Sequence, residues 1–423
     1  MKLIACSVAA SLFCMASTQA EIRRMVCLLT GSQEVPPVGT SARGCGLFEI
    51  DTSTNTVNYR IVYTGLSAAE TAAHIHGFSA PGANSGVKTN LPAGPVKVGV
   101  WTYPEADEAS LLAGLAYVNI HSGAFPGGEL RGQIVDMVSF IDAAQEVPAN
   151  GSTAQGVGLF MIDKATDALR YYILVGGLSS AELFSHIHGA ATYGTNSGVV
   201  HNLPNGAIKT GVWNYPQAAE QSILDGLFYV NVHSANFPGG EVRGQIVSSV
   251  NPIDRLQEVP PTNGQSVGCA FCSINRNTNT LGYDIQATFV GSTETAAHIH
   301  GFAPAGINAG VLHNLGLGGR KLGTWSYPNE AAEDGILKER TYVNLHTNLF
   351  PGGEIRGQIR WPIPPCPADF DGDGFVDFFD LDAFVACFEG DPCPPGKSAD
   401  FDGDGFVDFF DFDAFVAAFE QGC

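Results

Sequence analysis

The stretch Ala-His-Ile-His-Gly at residues 73–77 organises the chain, together with Val-Asn-Ile-His-Ser at residues 118–122. His74 recurs as His186 and again as His298, each time after 112 residues. A period of this length corresponds to a whole domain, because the units of solenoid proteins are much shorter. The sequence therefore predicts three tandem copies of one domain, at residues 25–136, 137–248 and 249–360.

Each copy has the pattern of short strands separated by tight turns. In the first copy Tyr59, Ile61 and Tyr63 alternate with polar residues, and a period of two predicts a half-buried strand. The 51 glycines and 24 prolines of the chain favour turns. One short helix is predicted at residues 105–115. We therefore expect a mainly β fold of three antiparallel Greek-key β-sandwiches, either immunoglobulin-like or superoxide-dismutase-like.

The N-terminus has the three parts of a signal peptide at residues 1–20. A lysine follows Met1, an apolar run extends from Leu3 to Met15, and small residues precede a cleavage site after Ala20. No later stretch contains 18 consecutive apolar residues, so we expect no transmembrane segment. The protein is therefore predicted to be secreted, and to be extracellular or associated with the cell surface.

The acidic residues are concentrated at the C-terminus. The net charge is −21, of which −14 belongs to residues 366–423, where thirteen Asp and two Glu residues accompany the single Lys397. An acidic chain without a basic stripe is a poor ligand for phosphate backbones, so we predict no nucleic-acid binding. A block of carboxylates this dense needs cations to stay folded.

The histidines form the main candidate site of each copy. His74 and His76 share one face of a strand, because residues i and i+2 point the same way. If the strand that carries His121 is a neighbour, three imidazoles converge in a manner that suits zinc or copper. The alternative is a cluster of polar side chains that joins two strands without an ion. The candidate metal ligands are His74, His76, His121, His186, His188, His201, His233, His298, His300, His313 and His346.

The repeated motifs resemble those of a known family. Ala-His-Ile-His-Gly, Trp-x-Tyr-Pro, Val-Asn-x-His and Phe-Pro-Gly-Gly-Glu-x-Arg-Gly-Gln-Ile occur in this order over residues 25–360, and the set is similar to the chordin-type CHRD domain. This resemblance implies binding of an extracellular ligand of unknown identity.

A second likeness is to copper–zinc superoxide dismutases. On that likeness His186, His188 and His233 match copper ligands, and His201 matches the bridging histidine. The first copy has Thr89 in place of the bridging residue, no aspartate suits the zinc position, and Arg243 falls a few residues late. A related sandwich with a single metal ion fits these departures better than a dismutase.

Three further expectations concern particular side chains. Cys27 and Cys45 flank a predicted hairpin, and we expect them to form a disulfide, since an exported chain keeps such bonds. Cys269 and Cys272 cannot bond to each other, because residues i and i+3 of one strand point to opposite faces. Glu129, two residues before Arg131, is expected to form an exposed ion pair of little energetic weight.

Two copies of a calcium-loop pattern follow a proline-rich connector at residues 361–365. Each has oxygen ligands at positions 1, 3, 5, 9 and 12, a backbone carbonyl at position 7 and glycine at position 6. Apolar residues at helical spacing follow each loop, at 378–388 and 409–419. We therefore predict two calcium ions, bound by Asp369, Asp371, Asp373, Phe375, Asp377, Asp380, Asp400, Asp402, Asp404, Phe406, Asp408 and Asp411.

One loop and one helix, duplicated over residues 366–423, resemble a type I dockerin module. The resemblance implies a cohesin-like partner or another surface receptor. Positions 10 and 11, which carry partner choice in that family, are Phe-Phe in both copies, so an apolar receptor groove is expected if these rings are exposed. Cys366, Cys387, Cys393 and Cys423 are expected to form disulfides, since so small a domain holds little core.

Together these features predict a secreted, non-catalytic binding protein whose three repeats are anchored through a calcium-dependent module. The alternative is a copper- or zinc-binding metalloprotein with one histidine site per repeat and dismutase-like redox activity. We assign no catalytic residue.

Overall fold

The computed structural model describes residues 22–362, 368–371, 376, 378–394, 397–401 and 406–421. It divides into two compact units, residues 22–363 and a unit that contains residues 364–423. Within the described residues, no helix is both long enough and apolar enough to cross a membrane. Several predicted features lie outside the described residues: the signal peptide, most of the connector, Cys366, Cys423, Asp373, Phe375, Asp377, Asp402 and Asp404.

Each repeat contains eight strands and one short helix. The first has β1 (Ile22–Thr30), β2 (Arg43–Asp51), β3 (Thr56–Thr64), β4 (Glu70–His76), β5 (Val87–Asn90), β6 (Val96–Thr102), α1 (Glu108–Leu112), β7 (Tyr117–Ser122) and β8 (Leu130–Gln133). The second has β9 (Met137–Asp142), β10 (Gln155–Asp163), β11 (Ala168–Gly176), β12 (Glu182–His188), β13 (Val199–Leu203), β14 (Ile208–Asn214), α2 (Glu220–Leu224), β15 (Phe228–Ser234) and β16 (Val242–Ile246). The third has β17 (Ser249–Ile253), β18 (Val267–Asn275), β19 (Thr280–Thr288), β20 (Glu294–Gly301), β21 (Val311–Asn314), β22 (Arg320–Ser326), α3 (Glu330–Leu337), β23 (Thr341–Thr347) and β24 (Ile355–Gln358).

The strands of a repeat form two four-stranded halves, and neighbouring strands are antiparallel throughout residues 22–362. One half has the order β1-β2-β3-β6 and the other the order β5-β4-β7-β8. Two residue pairs join the halves of the first repeat, Thr30 with Arg131 and Val26 with Val135, and the equivalent pairs join those of the second. Because β3 pairs with β6 and β4 with β7, the chain crosses between the halves. The expected antiparallel sandwich and the short helix after Trp-x-Tyr-Pro are both confirmed.

The core of each repeat consists of the inward-facing side chains of the two halves. Tyr59, Ile61 and Tyr63 are buried there, as their alternation predicted. Val62, on the opposite face of the same strand, is also buried. It is covered because the outer face of the β1-β2-β3 half packs against the other repeats.

The three repeats share one central hydrophobic cluster. Its members come from equivalent strands of all three repeats, and they include the equivalent positions Cys45, Val157 and Cys269. Cys45 and Cys269 form a disulfide with their Cα atoms 6.2 Å apart. Residues that are related by a rotation can touch only near its axis. The repeats therefore surround an approximate threefold axis that passes close to these residues.

Ion pairs between neighbouring repeats follow the same direction around the threefold axis. Arg320 of the third repeat forms an ion pair with Asp142 of the second. Arg60 of the first repeat forms the corresponding pair with Asp254 of the third, at 2.7 Å. The first and second repeats meet without an ion pair at this place, where the hydroxyl of Tyr172 lies against Gly82.

The expected bond between Cys27 and Cys45 is wrong. In the register of β1 and β2, Cys27 lies opposite Gly46, whereas Cys45 lies opposite Leu28. Since directly opposed residues share a face, the two thiols point to opposite sides of the sheet. Cys27 remains a buried free thiol, and Cys45 bonds across the ring instead. Cys272 is also free and buried, so the expectation that it does not bond to Cys269 is confirmed.

The described residues of the C-terminal unit form two helices, α4 (Phe378–Phe388) and α5 (Phe409–Gln421). Both were predicted from apolar spacing. The rings of Phe384 and Phe415 stack with their centroids 4.1 Å apart in a small core that also includes Phe370. Cys387 and Cys393 form a disulfide, as two of the four cysteines expected to do so.

Candidate metal centres

The register of β4 and β7 brings three histidines of the first repeat together. Ala72, His74 and His76 lie directly opposite His121, Asn119 and Tyr117. Directly opposed residues share a face, so all three imidazoles project from the same side, while Ile75 points into the core. The neighbouring strands that the sequence analysis required are therefore present. We call His74, His76 and His121 the first centre. The second centre is His186, His188 and His233, and the third is His298, His300 and His346.

The nitrogens of each centre converge at a spacing that suits one ion. In every centre, one nitrogen of each ring lies within 4.8 Å of the others. His74 Nδ1 and His121 Nε2 are 3.3 Å apart in the first centre. Two nitrogens bound tetrahedrally at about 2.0–2.1 Å would be roughly 3.4 Å apart. Small movements of the rings would therefore place all three nitrogens on one ion.

In two of the three rings of a centre, a hydrogen bond to a backbone carbonyl determines which nitrogen keeps its lone pair. His76 Nδ1 lies 2.9 Å from the Ser85 carbonyl oxygen, and His121 Nδ1 lies 2.9 Å from that of Pro126. A carbonyl only accepts hydrogen bonds, so both Nδ1 atoms donate and both neutral rings keep a lone pair on Nε2. The second and third centres repeat both contacts. Such outer contacts orient histidine ligands in metal sites.

In every centre, Nε2 of the second histidine of His-Ile-His is buried without a protein partner. These atoms are Nε2 of His76, His188 and His300, in the fully described range 22–362. A buried polar atom without a partner costs free energy. A cluster that served only to join two strands would satisfy its own hydrogen bonds. The orphaned lone pair therefore fits a metal ligand better than a structural histidine.

The electrostatics favour neutral imidazoles. Burial lowers the pKa of His74, and the neighbouring His121 and His76 lower it further. Burial also lowers the pKa of His76, against the opposing effect of the Ser85 carbonyl. A lowered pKa keeps the ring unprotonated at more acidic pH, and metal binding requires the unprotonated ring.

An aromatic stack supports each centre from behind. The rings of His76 and Tyr117 lie parallel with centroids 5.0 Å apart. The Arg131 guanidinium covers the other face of Tyr117, 3.6 Å from its centroid. The hydroxyl of Tyr117 accepts a hydrogen bond from the Ser85 amide, 3.0 Å away. This stack fixes the orientation of His76, and it recurs in the other two repeats.

The Gln-Glu-Val-Pro stretch contributes a buried carboxyl to the same face. Asn119 donates to both oxygens of Glu34 at 3.0 Å. Burial raises the pKa of Glu34 to about 7, although Asn119 and Arg131 both favour its charged form. Glu146 and Glu258 have the same environment and the same raised pKa of about 7. This contact was not predictable from the sequence, because the repetition of both motifs does not reveal that they meet in space.

The expectation of an exposed pair between Glu129 and Arg131 is wrong. Arg131 is only 1% exposed and Glu129 is fully buried. Strand β8 is an inner strand, and the loop at residues 79–85 covers its polar face, where Arg131 donates to the Ala83 carbonyl. Glu129 instead accepts hydrogen bonds from Thr40, Ser67 and Ser122.

Two of the candidate metal ligands lie away from the centres. His201 is paired with Ile187 across β13 and β12, so it shares the core-facing side of the sheet. Its ring lies beside Tyr171 and Trp213. His313 lies opposite Ile299 in the same way. The structure therefore does not place either histidine in a bridging position, and Arg243 is buried against Tyr229.

Comparison with known families shows what the repeats are. The sequence model of the CHRD domain matches three times, at residues 25–134, 138–246 and 252–359. The chain belongs to the CHRD domain family. The CHRD repeats therefore account for all three sandwiches and for all three centres.

The CHRD repeats are also similar to two curated proteins. Chordin from Xenopus laevis is 27% identical over 223 residues, and chordin from Danio rerio is 27% identical over 232 residues. Each alignment covers 46% of this chain and 23% of the relative. The chain therefore spans less than a quarter of the length of these relatives.

The C-terminal unit brings some of the predicted calcium ligands together. Oxygens of Asp369, Asp371 and Asp380 lie within 4.8 Å of one another. Asp380 and Asp411, at position 12 of the two loops, are each 1% exposed. Asp380 accepts a hydrogen bond from the Phe370 amide, and Asp411 accepts one from the Phe401 amide, both at 2.6 Å. The two loops thus hold their last carboxylate in the same way.

Proposed function

We propose that this protein is an extracellular binding protein in which each CHRD repeat holds one transition-metal ion, copper or zinc, through three histidines. The ligands would be Nδ1 of the first histidine of His-Ile-His, Nε2 of the second, and Nε2 of the histidine on the later strand. The observation that carries this proposal is the buried Nε2 of His76, His188 and His300, which has no protein partner.

The three nitrogen ligands of each centre favour zinc or copper over calcium. Neutral imidazole nitrogens suit zinc and copper, whereas calcium takes oxygen ligands. The polar cluster behind each centre contains a carboxyl with a pKa of about 7 and a buried arginine. We propose no catalytic step, and the ion would hold β4 to β7 or present a position for an outside ligand.

An extracellular location is supported by two observations. The signal-like N-terminus is a feature of the sequence, and the disulfide between Cys45 and Cys269 joins the first and third repeats. Disulfides of this kind persist in oxidising compartments. The similarity to chordin agrees with binding outside the cell, with a ligand of unknown identity.

Metal stoichiometry tests the proposal. The full chain, stripped with chelator and returned to millimolar calcium to saturate the acidic loops, should bind three equivalents of copper(II) or zinc per chain, one for each centre. Replacing His188 by alanine should remove one equivalent, because two imidazoles hold the ion much more weakly. Elemental analysis after gel filtration gives the count.

His201→Ala is the matched control, since it removes a histidine from the same repeat but outside the second centre. It should leave three equivalents. Less than one equivalent in the unmodified protein, or equal counts for the His188→Ala and His201→Ala variants, would contradict metal binding by the histidine centres.

The C-terminal unit supports a second proposed function, calcium-dependent anchoring. The loop spacing, the clustered carboxylates and the two buried position-12 aspartates fit two calcium sites of the dockerin type. Phe378, Phe409 and Phe410 are 67–69% exposed. Exposed rings at positions 10 and 11 favour an apolar groove on a cohesin-like or other surface receptor.

Removal of calcium with EGTA should unfold the C-terminal unit and leave the repeats folded. The cause is repulsion among the loop carboxylates once no cation lies between them. Far-ultraviolet circular dichroism should report loss of α4 and α5. All four tryptophans of the chain, Trp101, Trp213, Trp325 and Trp361, are buried in the cores of the repeats, including Trp361 directly after the third repeat. Tryptophan fluorescence should therefore not change.

Asp380→Asn should weaken calcium binding by about tenfold or more, because it removes a charged ligand of the first loop. Asp382→Asn is the control, since it alters an exposed aspartate of the same helix that lies outside the loop pattern. Equal affinities for the two variants, or a circular dichroism spectrum that ignores calcium, would refute calcium-dependent folding.

A further inference from the structure

The three centres differ at one position that faces the histidines. The residue directly opposite the histidine of the later strand is Ala72 in the first repeat and Ala296 in the third. In the second repeat the same position is Phe184, opposite His233. The three histidines themselves are the same in each repeat, so this position is the main chemical difference at the face of the centres.

Phe184 lies over two of the three histidines of the second centre. Its ring centroid is 4.7 Å from that of His233 and 5.3 Å from that of His186. The ring is 42% exposed, so one side contacts the imidazoles and the other faces solvent. A phenyl ring carries no lone pair, and it therefore covers the centre without serving as a ligand.

One of the two histidines beneath this ring is more buried than its equivalents. His233 is 7% exposed, whereas His121 and His346 are half-buried. Nδ1 of His186 and Nε2 of His233 are both buried without a protein partner. In the first and third centres the equivalent nitrogens are within hydrogen-bond distance of each other, at 3.3 and 3.1 Å. The second centre is thus enclosed on the side where the other two are open.

We infer that the first and third centres accept an outside donor as a further ligand of their ion, and that Phe184 denies this position in the second centre. This inference rests on the proposed metal binding. Three protein nitrogens leave at least one coordination position of zinc or copper open to solvent. The outside ligand would be a small anion or a donor side chain of a partner, and the methyl groups of Ala72 and Ala296 leave room for either.

Azide tests the inference, because it is a small anion that binds copper(II) through one nitrogen and produces a charge-transfer absorption. Azide replaces solvent at the ion, and no electron is transferred. Two full-length variants isolate single centres. His188→Ala with His300→Ala retains the first centre, and His76→Ala with His300→Ala retains the second. Azide should bind the copper of the second centre at least about tenfold more weakly than that of the first, a difference of about 1.4 kcal/mol.

Reciprocal substitutions assign the difference to the phenyl ring. Phe184→Ala in the variant that retains the second centre should raise azide affinity to the level of the first centre. Ala72→Phe in the variant that retains the first centre should lower it. Both variants should still bind one equivalent of copper, because neither substitution changes a nitrogen ligand.

Metal binding and the effect of Phe184 are overturned by different results. If the single-centre variants bind no copper, the proposed metal binding is overturned. If each binds one equivalent but azide affinity is equal in the two centres, or if Phe184→Ala has no effect on it, metal binding stands and the inference about Phe184 is overturned.

Discussion

Replacing Cys45 and Cys269 together by alanine should lower the free energy of unfolding of the repeats by about 5 kcal/mol, from the chain-entropy cost of a loop this long. The bond spans 224 residues and joins the first repeat to the third, so its loss frees almost the whole ring in the unfolded state. Urea unfolding followed by tryptophan fluorescence measures the change, because every tryptophan belongs to the repeats.

Cys27→Ala is the control for this measurement. Cys27 is a buried cysteine of the same sheet that forms no disulfide, so its replacement should cost only about 1 kcal/mol for the small cavity that remains. If the double variant were no less stable than Cys27→Ala, the disulfide would not be the element that closes the ring.

Replacing Arg131 by alanine should cost about 3–5 kcal/mol, the range observed when one partner of a buried charged network is removed. The substitution deletes the stack on Tyr117 and the hydrogen bonds that the guanidinium donates to the Ala83 carbonyl and to the Asn84 side-chain oxygen. It also removes the positive charge nearest to the buried Glu34. The urea midpoint of the repeats reports the loss.

Arg170→Ala is the matched control, since the Arg170 side chain is 62% exposed and its ion pair with Asp163 measures 3.7 Å. Its effect should stay within about 0.5 kcal/mol. Arg131→Lys should lie between the two, because lysine keeps the charge but loses the planar fork and the stack. Equal effects of Arg131→Ala and Arg170→Ala would show that the guanidinium stack contributes nothing to stability.

The local features of the fold were predictable because they depend on periodicity. Alternation over Tyr59, Ile61 and Tyr63 predicted a strand and its inner face, and helical spacing predicted α4 and α5. The same argument placed His74 and His76 on one side. Convergence with His121 required only that two strands be neighbours, and the triplication of the motif made that pairing a reasonable expectation.

The features that were not predictable depend on what covers the second face of a strand. Periodicity shows that Cys45 and Val62 point outward from their own repeat, but it cannot show that another repeat covers them. The error about Arg131 is similar, since the loop at residues 79–85 of the same repeat covers that side chain. The error about Cys27 has a different cause, because the sequence did not reveal the register that points Cys27 and Cys45 to opposite faces. His201 was misplaced for a related reason, since sequence order alone did not show that it shares a face with Ile187.

The unequal polar contacts around the ring have a consequence for how the chain assembles. Tandem modules of similar sequence can associate in two circular directions. In the observed direction Asp254 is neutralised by Arg60 and Asp142 by Arg320. If the repeats associated in the opposite direction, Asp254 would face Tyr172 and Ile208 of the second repeat, and neither side chain is a cation. The Asp254 carboxylate would then lose its water without gaining a partner of opposite charge. The aspartates thereby favour one circular order of the three modules, which hydrophobic contacts without direction would not specify by themselves.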